Sequence, residues 1–337
     1  MYISRINKLQ LYFLALFFSC FFSSLPQLSA QNNELLGSYK IGFIGKNKDS
    51  GKYKAVYAGI QSASKALGKS YSIEVETFDL SPRLYPKNEE ASNVAELQAE
   101  AVIKAYLKNI NGIILCPSNK NRLKSILELA QLKQIEIIFL EQTIDSINSL
   151  QTIKSDEFAA GKLLGESLLK HLPTSGRVAI LTLSEPSPIY DARLKGVKAA
   201  LGYKRIENII QTEADYASAV EAIKNAEAND VNHYIKGWVF LDDWALRGLP
   251  DLPWKPNRIP IVTLQSSATA HLFYDLGYLH SMVSYPYYDW GYQASSSLIK
   301  KLFKDEMPDA SSVMLPPLLV NQQTIDASKK RWKQWLQ

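Results

Sequence analysis

The stretch Ile41-Gly42-Phe43-Ile44-Gly45 decides how the rest of the chain reads. It belongs to an apolar run over 39–44 that Gly42 and Gly45 punctuate, and from Tyr53 onward Val56, Ile60, Ala63 and Leu67 recur at helical spacing. A strand followed by a helix is expected. The same unit returns over 72–78 and 94–107, over 112–116 and 123–132, and opens again at 135–140. Parallel neighbours need a crossover of about a dozen residues or more, so strands joined by helices imply a parallel sheet.

A second series follows a looser stretch at 141–151. Helices are expected over 158–172, 193–201 and 217–228, and strands over 176–183, 208–211, 235–241 and 259–264. The pattern repeats but the sequence does not. The prolines of Asp251-Leu252-Pro253-Trp254-Lys255-Pro256 disfavour helix at the residue before each, which marks a surface loop. The basic segment 325–336, with Trp332 and Trp335, reads as a terminal helix pinned to a lobe, or as a face for a partner.

Ahead of these series lies a greasy run over 11–22, preceded by Arg5 and Lys8 and followed by Leu28-Ser29-Ala30. It is too short to span a bilayer, which takes about 20 apolar residues. It is expected to be a signal peptide, residues 1–30, that exports the protein from the cytoplasm. Phe17-Phe18-Ser19 before Cys20 lacks the small residues of a lipidation site. Roughly 300 residues remain, and a domain usually has about 100–200, so two lobes are the natural division. Cys116 is then the sole cysteine and no intrachain disulfide forms. The formal charge of +5 loses Arg5 and Lys8 with the leader, and no Lys/Arg block tracks phosphates, so nucleic acid is not an expected partner.

In an open parallel sheet, ligands bind beyond the carboxyl ends of the strands, where strand order reverses. The residues there include Ser50, Lys52, Tyr53, Asn119, Glu141 and Gln142 in the first series. The second series supplies Tyr190, Arg193, Tyr216, Asp242, Asp243, Trp244 and Gln265. Carboxylates and amides can satisfy hydroxyl groups, Arg193 can fork two bonds, and aromatic faces can cover the apolar side of a sugar ring. Each residue also has a structural reading: Arg193 as the ion-pair partner of Asp191 or Asp242, Asp242-Asp243 as a cap, Tyr53 and Tyr216 as packing at helix starts. None of His171, His233, His271 and His280 stands beside an exposed Ser, and no Gly-x-Ser-x-Gly elbow occurs. With scattered His and one Cys, neither a metal nor a cofactor is expected. Gly42 and Gly45 lack the third glycine of a dinucleotide fingerprint.

Ordered motifs then carry a resemblance: Ile41-Gly42-Phe43-Ile44, Gly59, Asn111-Gly112-Ile113-Ile114-Leu115, Ser155-Asp156-Glu157-Phe158-Ala159-Ala160-Gly161, Asp191-Ala192-Arg193-Leu194-Lys195-Gly196 and Leu241-Asp242-Asp243-Trp244-Ala245-Leu246. In this order the chain resembles the periplasmic binding proteins of the ribose and galactose type over about 38–320. The resemblance implies an α/β fold of two Rossmann-like lobes, each a parallel sheet flanked by helices, linked by three hinge crossings. Residues 38–142 and 285–314 would form the N-terminal lobe, 143–284 and 315–322 the C-terminal lobe, and 323–337 a tail. It further implies that Tyr53 covers a sugar, Ser50 and Lys52 flank it, Asn119 follows the third strand, Arg193 forks to ligand oxygens, Tyr216 lies near the second aromatic, and Asp242 or Asp243 is the strand-end acid.

Departures from the family pattern bear on the ligand. Glu141-Gln142 stands for the usual Asp-Arg, Gln265 for an Asp, and Ser284 for the hinge glutamine. These shift the expected ligand away from a plain pentose or hexose, and the run Tyr285-Pro286-Tyr287-Tyr288-Asp289-Trp290 suits either a larger ligand or hinge packing. The resemblance implies a monomer that is not an enzyme and hands a sugar-like ligand to an ABC permease. An alternative partner is the periplasmic domain of a sensor kinase.

Overall fold

The computed structural model describes residues 35–84 and 91–336, so the expected leader and its cleavage point lie outside the described residues. Two six-stranded sheets form two lobes. In the first, the order is β11-β5-β4-β3-β1-β2, built from β1 (Ser38–Ile44), β2 (Glu74–Asp79), β3 (Gly112–Leu115), β4 (Glu136–Leu140), β5 (Gln151–Ser155) and β11 (Ser312–Leu315). The second has the order β12-β10-β9-β8-β6-β7, with β6 (Arg177–Leu183), β7 (Ile206–Thr212), β8 (Ile235–Phe240), β9 (Ile261–Leu264), β10 (Ser281–Ser284) and β12 (Leu318–Val320). All pairings are parallel except that of β12 with β10. Strand order reverses between β1 and β3 in one lobe and between β6 and β8 in the other. Strands buried on both faces explain the continuous apolar runs in the sequence.

The helices are α1 (Gly51–Tyr71), α2 (Ala91–Leu107), α3 (Lys120–Leu132), α4 (Glu157–Leu169), α5 (Pro188–Leu201), α6 (Tyr216–Asn229), α7 (Ala268–Asp275), α8 (Tyr287–Lys304) and α9 (Ile325–Leu336). No helix among the described residues is long and apolar enough to cross a membrane. In each lobe two helices touch through paired glycines. A Cβ on Gly59 of α1 would lie 2.0 Å from the Tyr288 carbonyl, and one on Gly291 of α8 would lie 1.9 Å from that of Val56. Gly161 of α4 and Gly196 of α5 make the matching contact in lobe two, 1.9 Å from the Arg193 carbonyl and 2.1 Å from that of Phe158. Those distances leave no room for a side chain, so the helix axes are as close as backbones allow.

The chain passes between lobes after β5, after β10 and after β11. The first passage corrects the expected boundary at 142. Gln151–Ser155 pairs with β4 on one side and β11 on the other, so lobe one keeps the chain to Ser155. This strand was hidden because its buried Gln151 and Thr152 look like loop residues; Gln151 is satisfied by the Ala310 carbonyl and Ser297 hydroxyl, far away in sequence. The C-terminal segment is a packed helix rather than an extended tail, as its basic, Trp-bearing pattern implies. This is α9, which packs against α1 of lobe one and α7 of lobe two.

Candidate functional site

The carboxyl ends of both sheets face one crevice, and a cavity of about 420 Å³ lies in it. That volume suits a small molecule, for which sites span about 300–1,000 Å³. Its lining comes from the start of α1 (Ser50, Gly51, Lys52, Tyr53), the segment after β8 (Asp242, Asp243, Arg247), the segment after β9 (Gln265, Ser266, Ser267, Ala268), Tyr287 at the start of α8, and Trp332 on α9. Gln98 of α2 braces the lobe-one side, because its buried amide donates to the Gly45 and Cys116 carbonyls and accepts from Ser118. The loops after β1 and β3 are thereby fixed on either side of the reversal point.

Lobe one presents a basic wall held by a buried acid. Glu141 pairs with Lys46 at 2.9 Å and with Lys52. Burial would raise its carboxyl, but the charges of Lys52 and Lys46 outweigh that and hold it at about 2. Burial also works against the Lys52 ammonium, and Glu141 overcomes it, so Lys52 stays protonated. The ammonium lies 5.2 Å from the Tyr53 ring centre and 5.3 Å from that of Tyr287, within cation–π range.

Lobe two presents acids held by arginines. The Arg193 Nε donates to Glu157 at 2.7 Å, and its Nη1 donates to the Leu241 carbonyl at 2.9 Å and to Asp242 at 3.2 Å. The Gly161 contact makes this possible, since it brings the start of α4, with Glu157, onto the backbone of Arg193. Asp242 also accepts from the Tyr190 hydroxyl at 2.8 Å and the Asp243 N–H at 2.9 Å. Burial pushes the Asp242 carboxyl up, and Arg193 followed by Arg247 brings it below its ordinary value. Its neighbour Asp243 is raised by burial and by the Asp242 charge, although Arg247 Nε donates to it at 2.8 Å. Across the crevice, the Tyr287 hydroxyl of lobe one donates to Gln265 Oε1 of lobe two at 2.6 Å. At the second crossing, the Tyr285 hydroxyl donates to Glu157.

Of the expected residues, Ser50, Lys52, Tyr53, Asp242, Asp243 and Gln265 line the cavity, while Glu141, Tyr190 and Arg193 stand directly behind it, bonded to lining residues. Arg193 spends its Nε and Nη1 on the protein, so in this arrangement it braces Asp242 and Glu157 behind the lining. Five others sit elsewhere. Asn119 caps α3, accepting from the N–H groups of Asn121 and Arg122 at 3.1 Å each. Gln142 donates to the Pro117 carbonyl at 2.6 Å and ties two loops together. Tyr216 donates to the Leu249 carbonyl and lays its ring against Gly248. Trp244 is in the lobe-two core, its ring 5.3 Å from that of Tyr190. Ser284 is buried at the end of β10 and donates to the Tyr285 carbonyl at 3.3 Å.

Sequence reasoning missed Arg247, Ala268 and Trp332 as lining residues, whereas Gly51, Ser266 and Ser267 fall within the strand-end segments 46–53 and 265–267 where ligands are expected. Tyr287 lies in a noted aromatic run, so it too carried a signal. Arg247 and Trp332 carried none, because they reach the crevice from a turn and from the far end of the chain. His271 was likewise missed beside a serine: its Nε2 lies 2.9 Å from Ser266 Oγ and 3.2 Å from Ser328 Oγ. Ser266 is 1 % exposed and burial lowers His271 to about 4, so the cluster is a neutral brace between α7 and α9. Among the described residues no group of three or more His, Cys, Asp or Glu is placed to hold a metal ion.

Residues 41–306, most of the chain, match the periplasmic binding protein domain. The chain belongs to the periplasmic binding protein family. A comparison with curated proteins by sequence finds no match. Solved structures similar to this periplasmic binding protein include a periplasmic ribose ABC transporter protein from Conexibacter woesei, at 15% identity, a TM-score of 0.70, and coverage of 89% of this chain and 98% of that one. A sugar-binding protein of a sugar ABC transporter from Bacillus halodurans is similar at 16% identity and a TM-score of 0.70, covering 86% and 99%. An ABC transporter solute-binding protein from Actinobacillus succinogenes, with bound D-allose, gives 15% and 0.69, covering 86% and 99%. At such identities the likeness concerns the fold: two α/β lobes of the type I kind. The family and these neighbours are binding proteins, not enzymes.

Proposed function

We propose that this protein is a periplasmic solute-binding protein that closes its two lobes on a sugar or sugar-like molecule and passes it to an ABC importer. The observation that carries the reading is the crevice lining, which sets Asp242, Asp243, Gln265, Ser50 and Lys52 against the rings of Tyr53, Tyr287 and Trp332. Acids, amides and hydroxyls match sugar hydroxyl groups, and flat rings match the apolar face of a pyranose. The Tyr287–Gln265 bond supports closure as the working motion, because it joins the lobes directly over the cavity. A face formed only on closure would give a permease something to recognise.

The test is a thermal-shift screen of the exported, leader-free protein against monosaccharides, disaccharides, polyols, nucleosides and amine oxides, followed by calorimetric titration of the hits. A ligand that binds the folded state must raise the melting temperature. A sugar that binds with Kd in the micromolar range or below supports the reading; no shift with any sugar, alongside binding of another class, overturns the ligand assignment. Delivery is tested by ligand-dependent stimulation of a reconstituted ABC importer's ATPase. Capture of a sensor kinase's periplasmic domain without such stimulation would replace the importer as partner.

A further inference from the structure

From the contacts of α9 we infer that the C-terminal helix is a strap across the two lobes, which stabilises their closed arrangement relative to an open one and turns Trp332 toward the crevice. The inference rests on the crevice being the site of lobe closure, yet it concerns the protein before any ligand arrives.

One face of α9 carries Ile325, Ser328, Lys329, Trp332 and Trp335, at the three- and four-residue spacing that aligns side chains along a helix. The first three belong to lobe two. Ile325 is buried in that lobe's core, Ser328 Oγ shares hydrogen bonds with Ser266 and His271 at 3.2 Å, and Lys329 pairs with Asp275 at the end of α7. The last two belong to lobe one. Trp335 stacks on Tyr288 of α8 with ring centres 5.9 Å apart and planes 12° from parallel, and Trp332 meets Trp335 edge-on at 5.5 Å. Trp332 also reaches the crevice beside Ser50, Gly51, Lys52 and Tyr53 of α1.

The two halves of one rigid helix are therefore fastened to different bodies. The chain enters α9 from β12, an edge strand of lobe two, so a rotation that parts the lobes carries α9 away with lobe two. That rotation must draw Trp335 off Tyr288 and Trp332 off the start of α1. If instead α9 stayed with lobe one, the buried Ser328 bonds and the Lys329–Asp275 pair would break. Either way opening disrupts a set of contacts that the three crossing segments do not make.

The test measures lobe separation in the ligand-free, full-length mature protein, so it stands even if the sugar assignment fails. Spin labels at Lys65→Cys on α1 and Glu221→Cys on α6, both exposed, report the distance between lobes by pulsed electron resonance. The parent protein should give a narrow distribution. Trp335→Ala should add a longer distance, with the open population raised about tenfold, the factor that corresponds to ~1.4 kcal/mol. Trp335→Phe, which retains a ring against Tyr288, should restore the parent distribution. Circular dichroism and a cooperative melt establish that each variant is folded. Unchanged distances in both Trp335→Ala and the Trp332→Ala/Trp335→Ala double variant, with the fold intact, would overturn the strap. If Trp335→Ala does not fold, Lys329→Ala replaces it, with the same broadening expected and the same refutation.

Discussion

Arg193→Ala separates a ligand-binding arginine from a structural one. The Arg193 side chain is 6% exposed and donates to Glu157, Asp242 and the Leu241 carbonyl. Its removal leaves two carboxylates with a smaller share of their partners, and breaking a buried pair costs about 3–5 kcal/mol. Asp242 retains Arg247, Tyr190 and the Asp243 N–H, while Glu157 retains the hydroxyls of Ser155 and Tyr285, so the lower end, about 3 kcal/mol, is expected. The pH dependence follows from Asp242. Burial raises its carboxyl and Arg193 is the foremost charge that pulls it below 3.8, so its pairing stabilises the fold above that pH and the benefit fades as pH falls through the lowered value. Without Arg193 the carboxyl rises and protonates sooner. The gap between parent and variant should thus be widest at pH 7 and narrower near pH 3. Urea unfolding of the ligand-free proteins at both values measures it. A loss under 1 kcal/mol at pH 7, or an equal gap at the two pH values, would refute the structural assignment and return Arg193 to the ligand.

Three further outcomes are expected. Glu141, held at about 2 against an ordinary 4.5, contributes about 3 kcal/mol above pH 4.5 that disappears as pH falls toward 2; Glu141→Gln should flatten that part of the acid limb, read from urea midpoints between pH 5 and 2.5. Tyr287→Phe deletes the hydroxyl that donates to Gln265 across the crevice, and should weaken affinity for the best sugar by about threefold to tenfold, measured by calorimetric titration, since a hydrogen bond contributes ~0.5–1.5 kcal/mol net. Gln265 has φ of 81°, so Gln265→Gly should leave stability unchanged or raise it by up to about 1 kcal/mol while affinity for the same sugar falls. Thermal unfolding and titration of the one variant check both halves.

The α/β alternation was legible because β1, β3, β4, β6, β8 and β9 are apolar runs too buried to need polar faces, and because α1 shows its core positions at helical spacing. β5 was not, since its buried Gln151 is satisfied by groups about 145 to 160 positions away, a distance no local pattern reveals. The strand-end rule located Ser50, Lys52, Tyr53, Asp242, Asp243 and Gln265 because a parallel sheet fixes where its carboxyl ends point. It failed where a strand-end residue serves the scaffold: Asn119 faces the orphan N–H groups of α3, and Gln142 faces the Pro117 carbonyl, each need being set by backbone geometry the sequence does not display. Trp332 escaped for the opposite reason. It arrives at the crevice by way of a helix that follows every strand.

One feature of the two sheets explains why polar side chains stand where they do. Glu141 directly follows β4 and Gln265 directly follows β9, the equivalent strands of the two lobes, and both adopt left-handed backbone conformations, with φ of 72° and 81°. Each N–H still continues its sheet, Glu141 donating to the Ile153 carbonyl and Gln265 to that of Val283, both at 2.8 Å. The ladder is thus preserved while the chain turns sharply. For a residue with a Cβ this costs about 1–2 kcal/mol, which glycine would avoid. Glycine would also deliver no side chain. Here the side chains are the ones that matter to the crevice: Glu141 fixes Lys52, and Gln265 receives Tyr287 from the opposite lobe. Strain held at matching places in two lobes of unlike sequence points to the same requirement in each, a polar group placed at the carboxyl edge where the lobes meet.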